Sequence, residues 1–510
     1  MSRAPRTTIA WRWGLAFGLL HVGCAWVRPI TVTPPLAPPA FATELHGASG
    51  ASAPPEAASG GAAQADAPAK APQPAPRAPS PARGDAWWTA FADPALDAAI
   101  QEALRQNYTI RDLRTLIYEN QLDPTTPRGW LWPLQVEVPG QLQRSTAANP
   151  PTVGQLGGTS SYSQADIGIS ASYRLDVWGQ LDLQRRLSDD LVEQQRQNTE
   201  AFAQSLAQQV TEVWFQILEQ RALAQLLERQ VRYNQELLQI VSARFEQQLA
   251  TRLAVLQQEQ QLLDTRTQVP LVQARLALLH SQLTALLGRT PTPDGDLVPA
   301  DRRLPELPAA PPVGAPVDLL RNSPELRLAH SRVLEVEHQV SQNLASWLPS
   351  IDVLGSVGVQ SFDFSEEYLT SAVGVRLTWP LFDGARRITE AKQLELRLQR
   401  RNWQYELALK TAVQRVQEAL IQERTQAEST LAIRAQVELG QRVLEEARRF
   451  FEQGRSDYLP VLTALSNLSN LERASIQSQR LLLSYRAQLY RSLGGAWSEA
   501  ATHDSDGRTD

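Results

Sequence analysis

The clearest pattern in the chain is a strict alternation of apolar and polar side chains over residues 165–177. Ile167 and Ile169 fall on one side of this pattern, and Asp166 and Arg174 fall on the other. Successive side chains of a strand point to opposite faces, so the segment is predicted to be a strand with one apolar and one polar face. Similar patterns predict four strands in all, over residues 134–144, 163–177, 350–361 and 371–382.

Very long helices are predicted after the second and fourth strands. Between Gly179 and Pro270 there is neither glycine nor proline, and apolar residues recur at spacings of three and four. The first helix should run for roughly 65 residues, on the order of 100 Å at 1.5 Å per residue. A second helix follows each long one, which gives helical spans at about 180–287 and 385–493.

The chain also resembles itself. Gly179 corresponds to Gly384 and Phe245 to Phe451, and the matches stay in the same order along both halves. A unit of roughly 210 residues is too long for a solenoid repeat. We therefore predict a two-fold internal repeat over residues 86–297 and 298–497, each half built as strand, strand and long helical hairpin.

Composition removes several classes of function. The net charge is −5 and the chain has one cysteine and six scattered histidines. This charge gives no basic face for nucleic acid, and one cysteine permits neither an internal disulfide nor a cysteine metal cluster. No Walker A motif or glycine-rich dinucleotide loop occurs. We expect no catalytic residue, no cofactor and no metal site.

The N-terminal region has the features of an exported protein. Residues 1–23 combine arginines with a short apolar run, which is typical of a cleaved signal peptide. Cys24 follows in a sequence similar to a bacterial lipobox, although His21 stands where leucine is usual, so we expect a lipidated cysteine; a free cysteine after an ordinary signal is the alternative. The Pro/Ala-rich residues 24–85 are predicted to form a tether, and residues 498–510 a flexible tail.

The strands are the predicted membrane segments. No apolar run after the signal approaches the roughly 20 residues of a transmembrane helix. Tryptophans such as Trp130, Trp178 and Trp379 flank the strands, as in the aromatic girdles of membrane barrels. A soluble sheet with one buried face is the alternative. Four strands cannot close a membrane barrel, so several copies must combine.

Several motifs resemble the TolC-like outer-membrane factors, specifically the lipidated branch that serves resistance-nodulation-division pumps. They are Trp87-Trp88 with Phe91 and Asp93-Pro94, the segment Trp379–Gly384, the segment Gly454–Leu462, and the terminal Leu493–Trp497. The resemblance covers nearly the whole chain from Trp87 to Trp497. It implies a mainly α protein with membrane β-structure, in which three protomers share a twelve-stranded β-barrel continuous with a periplasmic α-helical barrel.

The resemblance also implies partners and a site. It predicts a lipid-anchored homotrimer in the outer membrane, with its helical body in the periplasm, joined to a periplasmic adaptor and an inner-membrane pump. The inter-helix turns would form the periplasmic tip that contacts the adaptor and closes an iris through charge pairs. By carry-over these tip residues are Gln248, Leu249, Ala250, Thr251, Arg252, Gly454, Arg455, Ser456 and Asp457. Gln248 departs from the family's usual glycine, and Ala254 from a frequent aspartate.

The predicted function is passive conduction of small molecules, such as drugs, toxic compounds or metal ions, to the exterior. A channel for type I protein secretion is one alternative. A periplasmic coiled-coil adaptor or scaffold is another, although such proteins lack duplicated strand pairs. The helix breakers in the segment Asp123–Gly129 fit neither the helix before them nor the strand after them.

Overall fold

The computed structural model describes residues 86–149, 158–290, 297–311 and 319–494. The predicted signal peptide, Cys24, the tether and the C-terminal tail lie outside the described residues. Among the described helices, none is both long enough and apolar enough to cross a membrane.

The first half begins with a 3₁₀ turn at Trp87–Phe91 and continues through helices, strands and helices. Its helices are α1 (Pro94–Gln106), α2 (Tyr108–Gln121), α3 (Gln180–Glu246) and α4 (Arg252–Leu286), and its strands are β1 (Leu134–Glu137), β2 (Gly140–Asn149) and β3 (Gly158–Leu175). Helix α3 has 67 residues. It starts directly after Gly179, which has φ 70° and makes the sharp turn from the sheet.

The second half has the same order of strands and long helices. Its helices are α5 (Leu319–Asn322), α6 (Pro324–Ala345), α7 (Arg386–Glu452) and α8 (Leu459–Ser492), and its strands are β4 (Ser350–Phe362) and β5 (Glu366–Thr378). Helix α7 also has 67 residues. Each long helix packs along its return helix, α3 against α4 and α7 against α8, and α8 also packs against α3.

The strands form one antiparallel sheet in the order β1-β3-β4-β5, and β2 pairs with β3 beyond the end of β1. The two halves therefore join at β3 and β4, where Gly168 lies opposite Gly358. A side chain at either glycine would clash with the backbone of the other strand, because a Cβ at Gly168 would lie 2.7 Å from the Val357 carbonyl oxygen. This close approach requires glycine at both positions.

Several strand boundaries differ from the predicted ones, and β5 already begins at Glu366. The predicted first strand, 134–144, is two strands separated at Pro139, which has no N–H to donate to the ladder. Strands β2 and β3 continue to Asn149 and from Gly158, where small polar residues pair through their backbones without an apolar alternation. Strand β5 ends at Thr378, before Pro380, so Trp379 and Phe382 of the predicted 371–382 strand lie outside the sheet.

The helix breakers of Asp123–Gly129 form a loop that is fastened to α3. The Asp123 carboxylate accepts from the Thr125 backbone N–H and hydroxyl, both at 2.8 Å. Gln184 donates to the Thr125 carbonyl oxygen at 2.7 Å, and the Thr126 hydroxyl donates to Ser188 at 2.7 Å. The segment thus ends α2 and positions the chain for β1.

A large apolar core lies where α1, α3, α4 and α8 meet, and we call it the central core. Its largest fully buried side chains include Trp214, Phe215, Leu96 and Ile100. The Trp214 indole N–H donates to the Asp93 carboxylate at 3.0 Å, so the aspartate that caps α1 also fixes this ring. The extended segment 297–311 lies against the same region, where Arg221 donates to the carbonyl oxygens of Val298 and Pro299.

Candidate functional site

The sheet has two faces of opposite character, and both are open to solvent in the isolated chain. On one face, the cross-strand rows consist mostly of apolar residues, such as Tyr173, Val353 and Val375. On β5 the apolar side chains of this face are strongly exposed: Leu369 is 78% exposed and Val373 is 91% exposed. An apolar surface of this kind marks a site that contacts lipid or another protein.

The other face of the sheet is polar. Its rows include Asp166–Gln360–Tyr368, Ser170–Ser356–Ala372 and Arg174–Asp352–Arg376, which are cross-strand neighbours on β3, β4 and β5. The Arg174 Nε donates to the Asp352 carboxylate at 3.1 Å. A strand that is apolar outside and polar inside is the pattern of a membrane barrel with a water-filled interior.

The two inter-helix turns adopt the same backbone conformation. In the first turn the N–H of Leu249 donates to the Arg244 carbonyl oxygen at 2.8 Å, and in the second the N–H of Arg455 donates to the Phe450 carbonyl oxygen at 2.9 Å. Both are Schellman motifs, which need a left-handed residue just after the helix. That residue is Gln248 with φ 62° in the first turn and Gly454 with φ 71° in the second.

The structure brings the two turns together at one end of the long helices. Arg244, on α3, donates to the Glu452 carbonyl oxygen at 2.9 Å, which satisfies one free carbonyl at the end of α7. The same guanidinium lies 4.9 Å from the centre of the Phe451 ring. Most predicted tip residues are exposed, whereas Ala250 and Ser456 are half-buried.

Beneath the turns, buried polar side chains connect the two helical hairpins. The Tyr458 hydroxyl, at the start of α8, donates to the Gln258 amide oxygen on α4. The Gln258 amide nitrogen then donates to the Asn234 carbonyl and amide oxygens on α3, at 2.9 and 3.0 Å. We call these three residues the amide network. All three are buried, and burial raises the pKa of Tyr458 above its ordinary value, so its phenol remains a neutral donor.

The charged tip residues contact aromatic rings of their own chain. Arg455 lies 5.1 Å from the centre of the Phe450 ring, and Arg252 lies 6.0 Å from that of Phe245. No ion pair between described residues involves Arg252, Arg455 or Asp457. Within the described residues, these three charges are therefore not neutralised by an ion pair.

Several residues at the tip were missed at the level of sequence, including Arg244, Asn234 and Gln258. The polar residues Asn234 and Gln258 interrupt the apolar stripes of α3 and α4. This interruption is the sequence feature that could have indicated a buried polar contact. Tyr458 lies within the motif that carried the resemblance, but nothing in the sequence connects it to Gln258.

No group of three or more metal-binding side chains converges in the part of the chain that the structure describes. The two histidines on α6 differ from each other. His330 is exposed, with its ring 5.6 Å from that of Tyr405, whereas His338 is partly buried and lies 2.5 Å from the Asp190 carboxylate.

Comparison with known proteins supports the resemblance. The sequence model of the family described as "Outer membrane efflux protein" matches residues 99–289 and 315–495. The chain is 26% identical over 423 residues to the "Probable efflux pump outer membrane protein TtgC" of Pseudomonas putida, which covers 81% of this chain and 85% of the relative. It is 26% identical over 433 residues to the "Pyoverdine export outer membrane protein OpmQ" of the same species, at 81% and 88% coverage.

A solved structure gives the same answer for the fold. The outer-membrane channel OprN superposes with a TM-score of 0.70 at 22% sequence identity, over 82% of this chain and 94% of that one. The TolC-like fold that the resemblance predicted, a mostly helical chain with a few strands, is therefore confirmed. Because the family model matches more than half of the residues, in both halves, the chain belongs to the outer membrane efflux protein family.

Proposed function

We propose that this chain is one protomer of an outer-membrane channel through which small molecules leave the cell in a tripartite efflux system. The apolar face of the sheet carries this proposal, because its valine and leucine side chains on β5 are exposed to solvent in the isolated chain. Lipid on that face and water on the opposite face would satisfy both. The names of the two relatives, which refer to efflux and to export of pyoverdine, support the same function.

The channel is proposed to be a homotrimer. Strands β1 and β2 at one edge of the sheet, and β5 at the other, have free backbone donors and acceptors. Unpaired edges are not tolerated in lipid, so β5 of one copy would pair with β1 and β2 of the next. Because β1 and β2 lie end to end along β3 and together count as one barrel strand, three copies would contribute four strands each to a twelve-stranded barrel. The long helices would continue this barrel into the periplasm.

We propose that each chain is a duplicated half. The shared Schellman turns at Gln248 and Gly454, the equal lengths of α3 and α7, and the two matched segments of the family model support this. The proposed organisation is a signal at 1–23, a lipid-anchored tether at 24–85 with Cys24 acylated, repeats at 86–297 and 298–497, and a tail at 498–510.

The proposed docking site for the periplasmic adaptor is the tip. The exposed turns present Leu249, Arg252, Arg455 and Asp457 on a small surface at the end of the helices. Such a surface suits contact with another helical hairpin, and its charges orient rather than drive the association. The inner-membrane pump would select the substrate and supply the energy, while this channel conducts passively without catalysis.

Disruption of the gene tests the function. We expect the cells to retain more of a fluorescent efflux probe such as Nile red, and the intact gene to restore export. Unchanged retention in cells that otherwise make the protein would contradict the proposal. Loss of a secreted protein, with probe export unchanged, would favour the alternative of type I protein secretion.

A further inference from the structure

Positive charge on the polar face of the sheet is concentrated in one row. Arg174 on β3 and Arg376 on β5 lie on either side of Asp352 on β4, in direct register. This row is close to the ends of β3 and β5 that lead into the long helices. The row thus contains two guanidinium groups and one carboxylate, which gives the row itself a net charge of about +1 at neutral pH.

Arg376 is the arginine whose guanidinium group is free to bind a ligand. The Arg174 Nε is engaged by Asp352, whereas Arg376 is exposed and has no hydrogen bond or ion pair with any described residue. The next two rows on this face carry no charge on β3, β4 or β5; they are Ser172–Leu354–Gly374 and Ser170–Ser356–Ala372. The Arg376 side chain is therefore accessible to a solute.

The junction of the sheet with the helices also has room for a solute. A cavity of about 620 Å³ has Arg174 in its wall, together with Arg397 of α7 and the amide side chains of Gln342 and Asn343. Glu335 and Glu390 also line it. The Glu335 carboxylate already accepts hydrogen bonds from Gln194 and Gln339, so its charge is partly satisfied.

Farther from the helices the polar face becomes acidic. Glu137 pairs with Ser170, two rows beyond the arginines, and Asp166 lies two rows beyond that. A row lies about 6.7 Å from the next, so these carboxylates are more than one Debye length, about 10 Å at 0.1 M salt, from Arg376. The positive row therefore acts locally.

We propose that Arg174 and Arg376 form a cationic collar that concentrates small organic anions, such as carboxylates and sulfonates, where the conduit passes from helices to strands. This rests on the proposed function, because it requires the polar face to line the conduit. Guanidinium groups suit the collar, since each offers several donors in a plane that matches an oxyanion. Repeated in every protomer, the collar would meet each solute that leaves the helical tunnel.

A cysteine placed beside the collar reports the local charge. Gly374 lies on the same strand and face as Arg376, and a Cβ there meets nothing within 4 Å, so Gly374→Cys is accommodated. In membranes containing the full chain, the reaction rates of this cysteine are measured with an anionic sulfonatoethyl and a cationic trimethylammonioethyl methanethiosulfonate. The parent chain, whose one cysteine is Cys24, gives the background.

The collar predicts that the anionic reagent is favoured at Gly374→Cys in 0.1 M salt. Adding Arg376→Gln should lower the anionic-to-cationic rate ratio roughly threefold, and 1 M salt should abolish this difference. Arg144→Gln removes the same charge from the opposite face and should leave the ratio unchanged. A cysteine at Thr370, about 20 Å along β5, should not respond to Arg376→Gln.

Two results would overturn the collar in different ways. A rate ratio at Gly374→Cys that ignores Arg376→Gln would refute the collar and leave the proposed channel intact. No reaction at Gly374→Cys, with fast reaction of Val375→Cys on the other face, would show that the polar face does not line water, and the proposed function would fail with it.

Discussion

Apolar side chains are buried in the helical body but exposed to solvent in the sheet. In the central core, Val213 is 3% exposed and Trp214 is 1% exposed, whereas Val373 on β5 is 91% exposed. Burying a valine stabilises a fold by about 1.5–3 kcal/mol, so the sheet of an isolated chain forgoes this contribution at many positions. The apolar side chains of the helical body are thus buried against other helices of the same chain. Those of the sheet need lipid or other copies of the chain to bury them.

The largest effect is expected from a charge on the apolar face of the sheet. Val373→Arg should reduce membrane assembly severely, because an arginine facing lipid near the bilayer centre costs about 2–4 kcal/mol in each chain. Ala372→Arg is the matched control, since it places the same side chain on the preceding residue of β5, which faces the polar side of the sheet. The measurement is the yield of heat-modifiable oligomer in the membrane fraction. Equal losses for both variants would contradict the assignment of the faces.

A smaller effect is expected from breaking an ion pair beside the central core. Arg480 lies 3.0 Å from both Glu212 and Glu219, and Glu219 is almost fully buried. Arg480→Met should lower the free energy of unfolding by about 2–4 kcal/mol, because it leaves a buried carboxylate without its partner. Arg424→Met, which breaks an exposed pair with Glu428, should change it by less than about 0.5 kcal/mol.

The loss caused by Arg480→Met should depend on pH. Burial raises the pKa of Glu219, and Arg480 opposes this, so removing the arginine raises that pKa further. A carboxyl group with a raised native pKa binds protons more readily in the folded state, so stability falls as pH rises through this range. The destabilisation should therefore be smaller in mild acid than at neutral pH. Thermal unfolding in detergent at several pH values provides the check, and a loss that grows in acid would be inconsistent with it.

A moderate effect is expected in the amide network. Tyr458→Phe removes the donor to the buried Gln258 amide oxygen and should destabilise the tip by about 1–2 kcal/mol. Tyr118→Phe, at an exposed tyrosine of α2, serves as the control. Amide hydrogen exchange at the start of α4 and α8 should quicken in the first variant alone. Unchanged exchange there would mean that the network does not join the hairpins.

The smallest effects are expected at the two tip turns, where opposite substitutions should have opposite signs. Gln248→Gly relieves a left-handed glutamine and should stabilise its turn by about 1 kcal/mol, whereas Gly454→Gln should destabilise the second turn by a similar amount. Hydrogen exchange of the Leu249 and Arg455 amides measures each turn separately. Identical responses would show that the turns are not equivalent in conformation.

The sequence predicted the helices and strands better than the contacts between them. The alternation around Ile167 and the glycine-free stretch after Gly179 were sufficient to predict β3 and α3, because periodicity directly reflects local geometry. The extension of β2 to Asn149 was missed because its backbone pairing carries no side-chain signal. The contact of Tyr458 with Gln258 was missed for another reason: it joins residues far apart in the chain, and their meeting depends on how four helices pack.

At the tip, too, the sequence located the turns but did not predict their conformation or their contacts. The turns were located through the resemblance, and the departure at Gln248 was visible in the sequence. The structure adds that this glutamine adopts the left-handed conformation of the missing glycine. It also shows that Ala254, which replaces a frequent aspartate, is buried in the apolar cluster with Phe451 and Tyr458. Charge in the tip of this chain is thus carried by other residues.

The central claim is that the open sheet is completed by lipid and by other copies of the chain. Purified full-length protein in a planar lipid bilayer tests it most directly, through single-channel current recorded together with the mass of the lipid-embedded assembly. We predict stepwise currents from particles of three chains, lost with Val373→Arg and kept with Ala372→Arg. A single chain that carries no current and stays in solution without detergent would contradict the account.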